Sequence, residues 1–532
     1  MVLLLAACAS FGTAVTFSQS VQRLEAYDFV EITASVPSPG WGNPFTLATL
    51  SGFFETADGS RRWPIEGFCD SEDGSIFRIR FMPPTPGAYR YSIAYQKGLF
   101  RTESTGSFQA IDGHRRGPVR VDPQHRFHFI WEGTGEHYFF NGTTAYWLVG
   151  WRDDGIIQSS IERLHKLKIN RIRVTIAGRS GQSYGEAMKV GPQWTTYPTP
   201  WPAANPDDLR RPGFAYRRFH VAYWQKFERA LRIARDRDMI ISLVLDMNDN
   251  PVHPGAGSWD ETRFIRYAVA RFAAFSNITW DLGDDLDAYR GDDWTRLTGT
   301  LLKAWDPYSH LATSHPIDNV HQDRTAPWFD FTSYQEWSRD QHAFMLSQRR
   351  EQQRLGRIIP QTNEEYGYED HRPPWSPRLG FESAVDLRRT AWDIVMAGGY
   401  QTTGESARRG TNVPPDTGGG WLNGRGDDTM TMLQGYAHMV DFFTSFEWWK
   451  AEPRDDLVSD GAYCLAILGS VYAVYLPRGG QTTIQLHSGS YEASWFDPRT
   501  GRTVVLPPIE GSTWTSPRSP DDTDWALLLR RK

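Results

Sequence analysis

From about Val21 to Ile111, apolar and polar positions alternate in short runs, FVEITASV, FRIRFM and YRYSIAY among them, with Pro/Gly/Asp turns such as PSPG, ADGS and PPTPG between them. A period of two punctuated by turns predicts short antiparallel strands with one buried face, hence a small β-sandwich. After GHRRGPVRV the rhythm changes to β-like runs that alternate with helix-length segments, the mark of βα units. Eight strands are expected near Tyr146–Trp151, Arg171–Ile176, Met239–Asp246, Ile278–Gly283, Leu311–His315, Phe329–Tyr334, Ile359–Glu364 and Tyr400–Gly404. Helices belong between them: Tyr223, Phe227, Leu231 and Ala234 recur at helical spacing before MIISLVLD, as do Ala384, Leu387, Ala391 and Val395 before GGYQTTGE. Eight such units predict a (β/α)₈ TIM barrel rather than a doubly wound sheet, since no GxGxxG turn follows any strand. The Pro- and Trp-rich stretch Gly178 to Arg217 is too long for an ordinary connection and is expected to form part of a substrate wall. From about Pro453, strand-like runs return (YCLAILG, VYAVYLP, TTIQLH, EASWFD, WALLLRR) and predict a second β-sandwich. The expected organisation is a leader over residues 1–17, a sandwich over 18–111, the barrel over 112–450 and a closing sandwich over 451–532.

Composition changes this picture in three places. A net charge of −6 without a long basic run gives no electrostatic footprint for nucleic acid or an anionic membrane. The aromatic content of 14%, with 22 Trp, serves mainly core and interdomain packing, yet flat apolar faces with a polar edge also suit sugar rings. At the start, MVLLLAACASFGTA resembles the end of a secretory leader: Leu5-Ala6-Ala7-Cys8 reads as a lipobox that would lipidate Cys8, and Ala7-Cys8-Ala9 as a small-x-small cleavage site. Either reading exports the chain to the cell envelope or beyond it. No other stretch approaches a membrane span. Cys69 and Cys464, the two cysteines outside the leader, fall in different predicted domains and are expected to be buried and free.

Two acidic segments carry the candidate chemistry. NITWDLGDDLD (277–287) and IIPQTNEEYGYED (358–370) each follow a helix-like stretch and run from β-branched residues into carboxylates. Reactive groups of a (β/α)₈ barrel sit at the carboxyl ends of its strands, so Asp285 and Glu365 are the expected catalytic acid pair. The competing roles are helix N-capping for Asp285 and a buried ion pair with Arg173 for Glu365. Alternation along a strand places their neighbours Asp281 and Glu364 in supporting or outward-facing positions. The run DDLDAYRGDD lacks calcium-loop spacing, and AYWLVGW holds no His-x-His pair, so neither a metal nor another cofactor is expected.

At this level the chain resembles a known family. NPFTLATLSGFFETADGSRRWPIEGFCDSEDGSIFRIRFMPPTPGAYRYSI resembles the sandwich that precedes bacterial apiosidase-like glycoside hydrolase barrels. YAVYLPRGGQTTIQL, SWFDPRTG and DWALLL resemble the collagen-binding-type sandwich that closes that architecture, and WDLGDDL and NEEYGYE are similar to its two catalytic segments. The resemblance covers nearly the whole chain after the leader. It implies cleavage of a glycosidic bond in a plant, algal or bacterial carbohydrate, with Asp285 as acid/base and Glu365 as nucleophile. Many barrels of the wider superfamily carry Asn-Glu after strand four where this chain has Asp284-Asp285; apiosidase-like relatives also use Asp there, and the choice between Asp284 and Asp285 stays open.

Glycoside hydrolysis needs one protonated and one ionised carboxyl group on opposite sides of the anomeric carbon. Arg173, at the inward end of NRIRV, is the expected cation holding Glu365 ionised; Tyr334 is expected to hydrogen-bond the nucleophile, and His315 and Gln335 to contact hydroxyls. Trp147, Trp151, Trp337 and Trp421 are the stacking candidates, and Glu405 either binds a sugar hydroxyl or anchors a loop. The alternative function is a catalytically inactive carbohydrate-binding or scaffold protein. A collagen-directed role has no protease motif behind it. Sugar and linkage are set by loop shape and are not written in these motifs.

Overall fold

The computed structural model describes residues 14–177, 194, 199–206, 211–247, 253–369, 382–405, 420–426 and 429–532. Residues 1–13 of the expected leader, Cys8 among them, and much of the Gly178 to Arg217 stretch lie outside the described residues, while Thr16–Gln19, across the expected leader boundary, already pairs with Val30–Ser35 in the N-terminal sheet.

Eight parallel strands form the central sheet: β1 (Asn141–Thr144), β2 (Arg171–Thr175), β3 (Ile240–Val244), β4 (Ile278–Asp284), β5 (Ala312–His315), β6 (Tyr334–Gln335), β7 (Thr362–Glu365) and β8 (Tyr400–Thr403). Their hydrogen-bonded order is β5-β4-β3-β2-β1-β8-β7-β6, so the sheet curls into the expected barrel and only the β5/β6 edges share no ladder among the described residues. Discrete bonds close that seam. Ala312 N donates to Asp330 Oδ2 at 2.8 Å, Thr313 Oγ1 donates to Phe331 O at 2.7 Å, and His315 Nδ1 lies 2.9 Å from Ser333 Oγ.

Two strands depart from the expected positions. The first is Asn141–Thr144 instead of Tyr146–Trp151, whose residues form a turn and a short 3₁₀ segment at Leu148–Gly150. NGTT has no apolar run because its neighbour leaves no room: a Cβ on Gly142 would lie 2.3 Å from Thr402 Oγ1 of β8. The sixth is Tyr334–Gln335, since Asp330, Phe331 and Ser333 each place a hydrogen bond on the seam.

Helices Asp154–Lys166, Val221–Arg235, Trp259–Phe272, Asp292–Trp305, Gln341–Leu355 and Ala384–Met396 surround the barrel. Four of them start where a side chain caps the first turn, as Ser258 accepts from Glu261 N and Ser383 forms a capping box with Asp386. Tyr223, Phe227, Leu231 and Ala234 are all buried, as their spacing predicts.

The N-terminal sandwich stacks a four-stranded and a five-stranded sheet, and Val30–Ser35 alternates strictly between buried and half-buried positions. It docks on the barrel through buried charge: Arg80 reaches Glu228 at 2.7 Å, while Arg271 reaches Asp70 and Glu228 at 2.6 Å each. The C-terminal domain is an antiparallel sheet built around the long strand Thr483–Phe496. It is fixed by Arg388 to Asp524 at 2.6 Å and by Trp392 stacked on Tyr475 at 5.0 Å. Cys69 and Cys464 are buried and free. Among the described residues no helix is long and apolar enough to cross a membrane.

Candidate active site

The barrel floor is charged. On β2, residues 171 and 173 share one face and both point into the barrel, where each guanidinium is essentially without solvent contact. Arg171 Nη1 lies 2.7 Å from Glu364 Oε1 and its Nη2 donates to Ser242 Oγ at 2.6 Å. One layer higher, Arg173 holds Glu364 Oε2 through Nε at 3.0 Å, Asp281 Oδ2 through Nη2 at 2.9 Å and Asp284 Oδ1 at 3.0 Å. Its Nη1 donates to Tyr146 Oη at 2.9 Å, and that hydroxyl donates in turn to Asp284 Oδ1 at 3.0 Å.

Irregular registers at the strand ends bring neighbouring carboxylates together. The β4/β5 ladder shifts between Asp281 and Asp284, and the β6/β7 ladder between Tyr334 and Gln335. A bulge of this kind re-aims a side chain, so Asp281 and Asp284 both turn inward, as do the consecutive residues Glu364 and Glu365. Asp281 and Glu364 therefore support the site from inside the barrel; neither faces outward.

Above this layer, His315 Nε2 stands between two carboxylates, 3.7 Å from Asp284 Oδ1 and 3.5 Å from Glu365 Oε2. One ligand atom from each of Asp284, His315 and Glu365 fits within a mutual spacing of 4.8 Å, so among the described residues this trio could hold a metal ion. Gln335 Nε2 donates to Glu365 Oε1 at 3.2 Å, and Tyr368 and Tyr146 hydrogen-bond the same carboxyl group.

Burial pushes the Glu365 carboxyl up to about 7, against the charge of Arg173 and the hydrogen bonds from Tyr368, Gln335 and Tyr146. Asp281 is also raised by burial, in spite of Arg173 and His315. For Glu364 burial is outweighed by Arg171 and Arg173, which hold it below the usual range. Burial and then Arg173 lower His315, which keeps its imidazole neutral.

The structure sorts the expected site residues. Glu365, His315, Gln335 and Arg173 meet at the mouth. Arg173, however, makes its direct ion pairs with Asp281, Asp284 and Glu364, and acts on Glu365 through charge alone. Asp285 follows Asp284 at the same mouth, half-buried and in the left-handed region at φ 51°; it precedes the 3₁₀ turn Leu286–Ala288 but makes no capping bond to it. Tyr334 does not reach Glu365. Its ring packs edge-on against Phe344 and its hydroxyl lies 3.5 Å from Arg324 in the outer layer, because β6 ends there and alternation turns Gln335 inward instead.

Trp147 and Trp151 are core residues. Trp151 Nε1 donates to Asn423 O at 2.7 Å, Trp147 O accepts from Trp194 Nε1 at 3.0 Å, and both rings are buried under the residues that follow β8. Trp421 is buried as well, 4.8 Å from the Tyr368 ring, so it backs the wall that carries Tyr368 and Tyr146. Trp337 keeps a partly exposed ring, edge-on to Tyr368 at 5.8 Å, and stands as the stacking candidate of the four. Glu405 is an anchor: Arg163 grips both its oxygens at 2.7 Å.

Sequence reasoning missed Tyr146 and Tyr368. Tyr368 lies three residues beyond Glu365 within NEEYGYE and could have been found there. Tyr146 was assigned to the first strand and so lost its place at the mouth.

Comparison with known proteins agrees with this geometry. Residues 162–404 match the model of the apiosidase-like catalytic domain. Residues 23–96 match a domain of unknown function, DUF5060, and residues 454–530 match a domain described as "Putative collagen-binding domain of a collagenase". No curated protein matches the chain. Among solved structures, a "putative glycoside hydrolase" from Bacteroides vulgatus superposes with a TM-score of 0.77 at 20% identity, covering 96% of this chain and 100% of that one. A glycoside hydrolase family 5 protein from the same organism gives 0.60 at 17% identity, covering 78% and 93%. These likenesses show a shared fold.

Proposed function

We propose that this chain, a glycoside hydrolase built around an apiosidase-like catalytic domain, cleaves an O-glycosidic bond of a plant, algal or bacterial carbohydrate with retention of configuration. The observation that carries the reading is the meeting of carboxylates from the ends of β4 and β7 at one mouth, where Asp284 comes within 4.8 Å of Glu365 and Asp285 follows it in the chain. Retention uses carboxyl groups roughly 5–5.5 Å apart and inversion about 6.5–9.5 Å to seat a water, and the anomer released first distinguishes the two.

Glu365 is the nucleophile. Gln335 and Tyr368 hydrogen-bond its carboxylate, and the nearby charge of Arg173 favours its anion. Asp284 is a poor proton donor, because Arg173 and Tyr146 both stabilise its anion. The acid role therefore falls to Asp285, which is more exposed and can exchange its proton with solvent. In the first step Glu365 attacks the anomeric carbon while Asp285 protonates the departing oxygen, leaving a glycosyl ester on Glu365. In the second, Asp285 takes a proton from water as that water attacks the same carbon and releases Glu365. The leader-like opening and the absence of any nucleic-acid footprint fit an exported enzyme; cell fractionation of the full chain tests that part.

Chemical rescue tests the roles. Glu365→Ala is expected to lose activity on aryl glycosides and to recover it with azide, giving a glycosyl azide of inverted configuration. Asp285→Ala should retain turnover only for substrates with good leaving groups, and Asp284→Asn should not show that selectivity. Azide rescue with leaving-group dependence in Asp284→Asn alone would move the acid role to Asp284. Unchanged ligand binding without turnover in the wild type, across glycan screens, would mark a binder.

A further inference from the structure

His315 is without solvent contact, and its Nε2 makes no hydrogen bond. Orphaned buried donors or acceptors are costly, so such an atom in a built site signals a missing partner. It points between Asp284 Oδ1 at 3.7 Å and Glu365 Oε2 at 3.5 Å. We propose that Asp284, His315 and Glu365 bind one divalent transition-metal ion of the zinc class, and that its occupancy silences the hydrolase. The second half rests on the function proposed above.

Three features favour the ion. The first is geometric. Zinc bonds to nitrogen and carboxylate oxygen at about 2.0–2.2 Å, which places tetrahedral ligands roughly 3.3 Å apart; the two His315 separations need contraction by only a few tenths of an ångström, and Asp284 and Glu365 lie within 4.8 Å of each other. The second is outer support. Ser333 Oγ, 2.9 Å from His315 Nδ1, can accept the Nδ1 proton and leave the Nε2 lone pair aimed at the ion; Gln335 orients the Glu365 carboxyl group through Oε1. The third is charge. Four buried carboxyl groups (Asp281, Asp284, Glu364, Glu365) face two guanidinium groups (Arg171, Arg173), so the fully ionised cluster carries 2 − 4 = −2, which a divalent cation cancels.

One imidazole with two carboxylates suits zinc, cobalt or nickel better than magnesium or calcium, which prefer oxygen alone. Three protein ligands leave a fourth position for water. With its Oε2 lone pair on the metal, Glu365 no longer attacks an anomeric carbon, so metal and substrate exclude each other.

The full chain, stripped with a chelator, is titrated with Zn²⁺ by calorimetry and with Co²⁺ by visible absorption, and turnover is followed in parallel. The expected result is one ion per chain, a cobalt d–d band, loss of turnover on loading, recovery with chelator and no effect of millimolar Mg²⁺. His315→Ala, with its fold checked by circular dichroism, should abolish the band; Ser333→Ala should weaken binding by about 10–100-fold. No uptake by the wild type, unchanged uptake by His315→Ala, or full turnover of the loaded enzyme would overturn the proposal. Turnover without metal uptake removes the metal site and leaves the hydrolase. Metal uptake by a protein that turns over no glycan leaves the site and removes the hydrolase.

Discussion

Replacing Arg173 with Met keeps the bulk of the side chain and deletes its charge at the centre of the cluster. The guanidinium is fully buried and holds Asp281, Asp284 and Glu364 at 2.9, 3.0 and 3.0 Å, so the variant leaves four carboxyl groups to Arg171 alone. Breaking a buried pair by removing one partner costs about 3–5 kcal/mol. Proton uptake caps that loss. Each tenfold step between pH and pKa costs about 1.4 kcal/mol, which limits an ordinary carboxyl group to about 4 kcal/mol at neutral pH. Asp281 escapes most cheaply, because burial has already raised it. The sign follows from Glu364: its lowered pKa contributes stability above its unfolded value that is lost as pH falls through the folded one, so the wild-type advantage shrinks on acidification. The second consequence is catalytic. Arg173 pulls the Glu365 carboxyl down toward about 7; without it that group rises further, and the limb of kcat/KM that needs ionised Glu365 moves to higher pH. Guanidinium denaturation at pH 7 and pH 5, with pH–rate profiles of wild type, Arg173→Met and Arg173→Lys, reads both effects. A loss below about 1 kcal/mol at neutral pH, against the 3–5 expected for a broken buried pair, or an unmoved acid limb would refute the reasoning.

Other outcomes follow from single contacts. Burial pushes Asp306 up, but His310 and the Tyr308 N–H and Trp280 hydrogen bonds bring it to about 2; Asp306→Asn should cost about 2 kcal/mol at neutral pH in urea unfolding, an advantage the wild type loses as pH falls from its unfolded value through about 2. Trp337→Ala should raise KM several-fold with little change in kcat, whereas Trp151→Ala should cost about 3–5 kcal/mol of stability because its ring is core. Glu405→Gln should weaken thermal stability and leave the pH–rate profile in place, since the carboxylate serves Arg163; a displaced profile would return Glu405 to the site.

The barrel was legible where strands carry apolar runs and helices carry a spaced apolar face, as in β3 and Val221–Arg235. It was misread where packing replaces hydrophobicity with small polar residues: NGTT forms β1 because Gly142 abuts Thr402, and no local pattern announces that contact. Glu365, Gln335 and His315 come together at the mouth because they end strands. Tyr334 failed by one position of alternation, and Trp147, Trp151 and Trp421 failed because a tryptophan after a strand packs as readily against its own connection as against a ligand. Alternation left Asp281 and Glu364 between a supporting and an outward-facing position; the irregular registers at Asp281/Asp284 and Tyr334/Gln335 break the period at the mouth and turn both inward onto Arg173.

The central claim is that Glu365 forms a covalent bond to the sugar. Incubation with an activated 2-deoxy-2-fluoro glycoside, which slows release of the intermediate, followed by peptide mass mapping reads it directly. The account predicts one fluoroglycosyl group per chain on the peptide that carries Glu365, absent in Glu365→Gln. Turnover that leaves no adduct and first releases the anomer of opposite configuration to the substrate would contradict it.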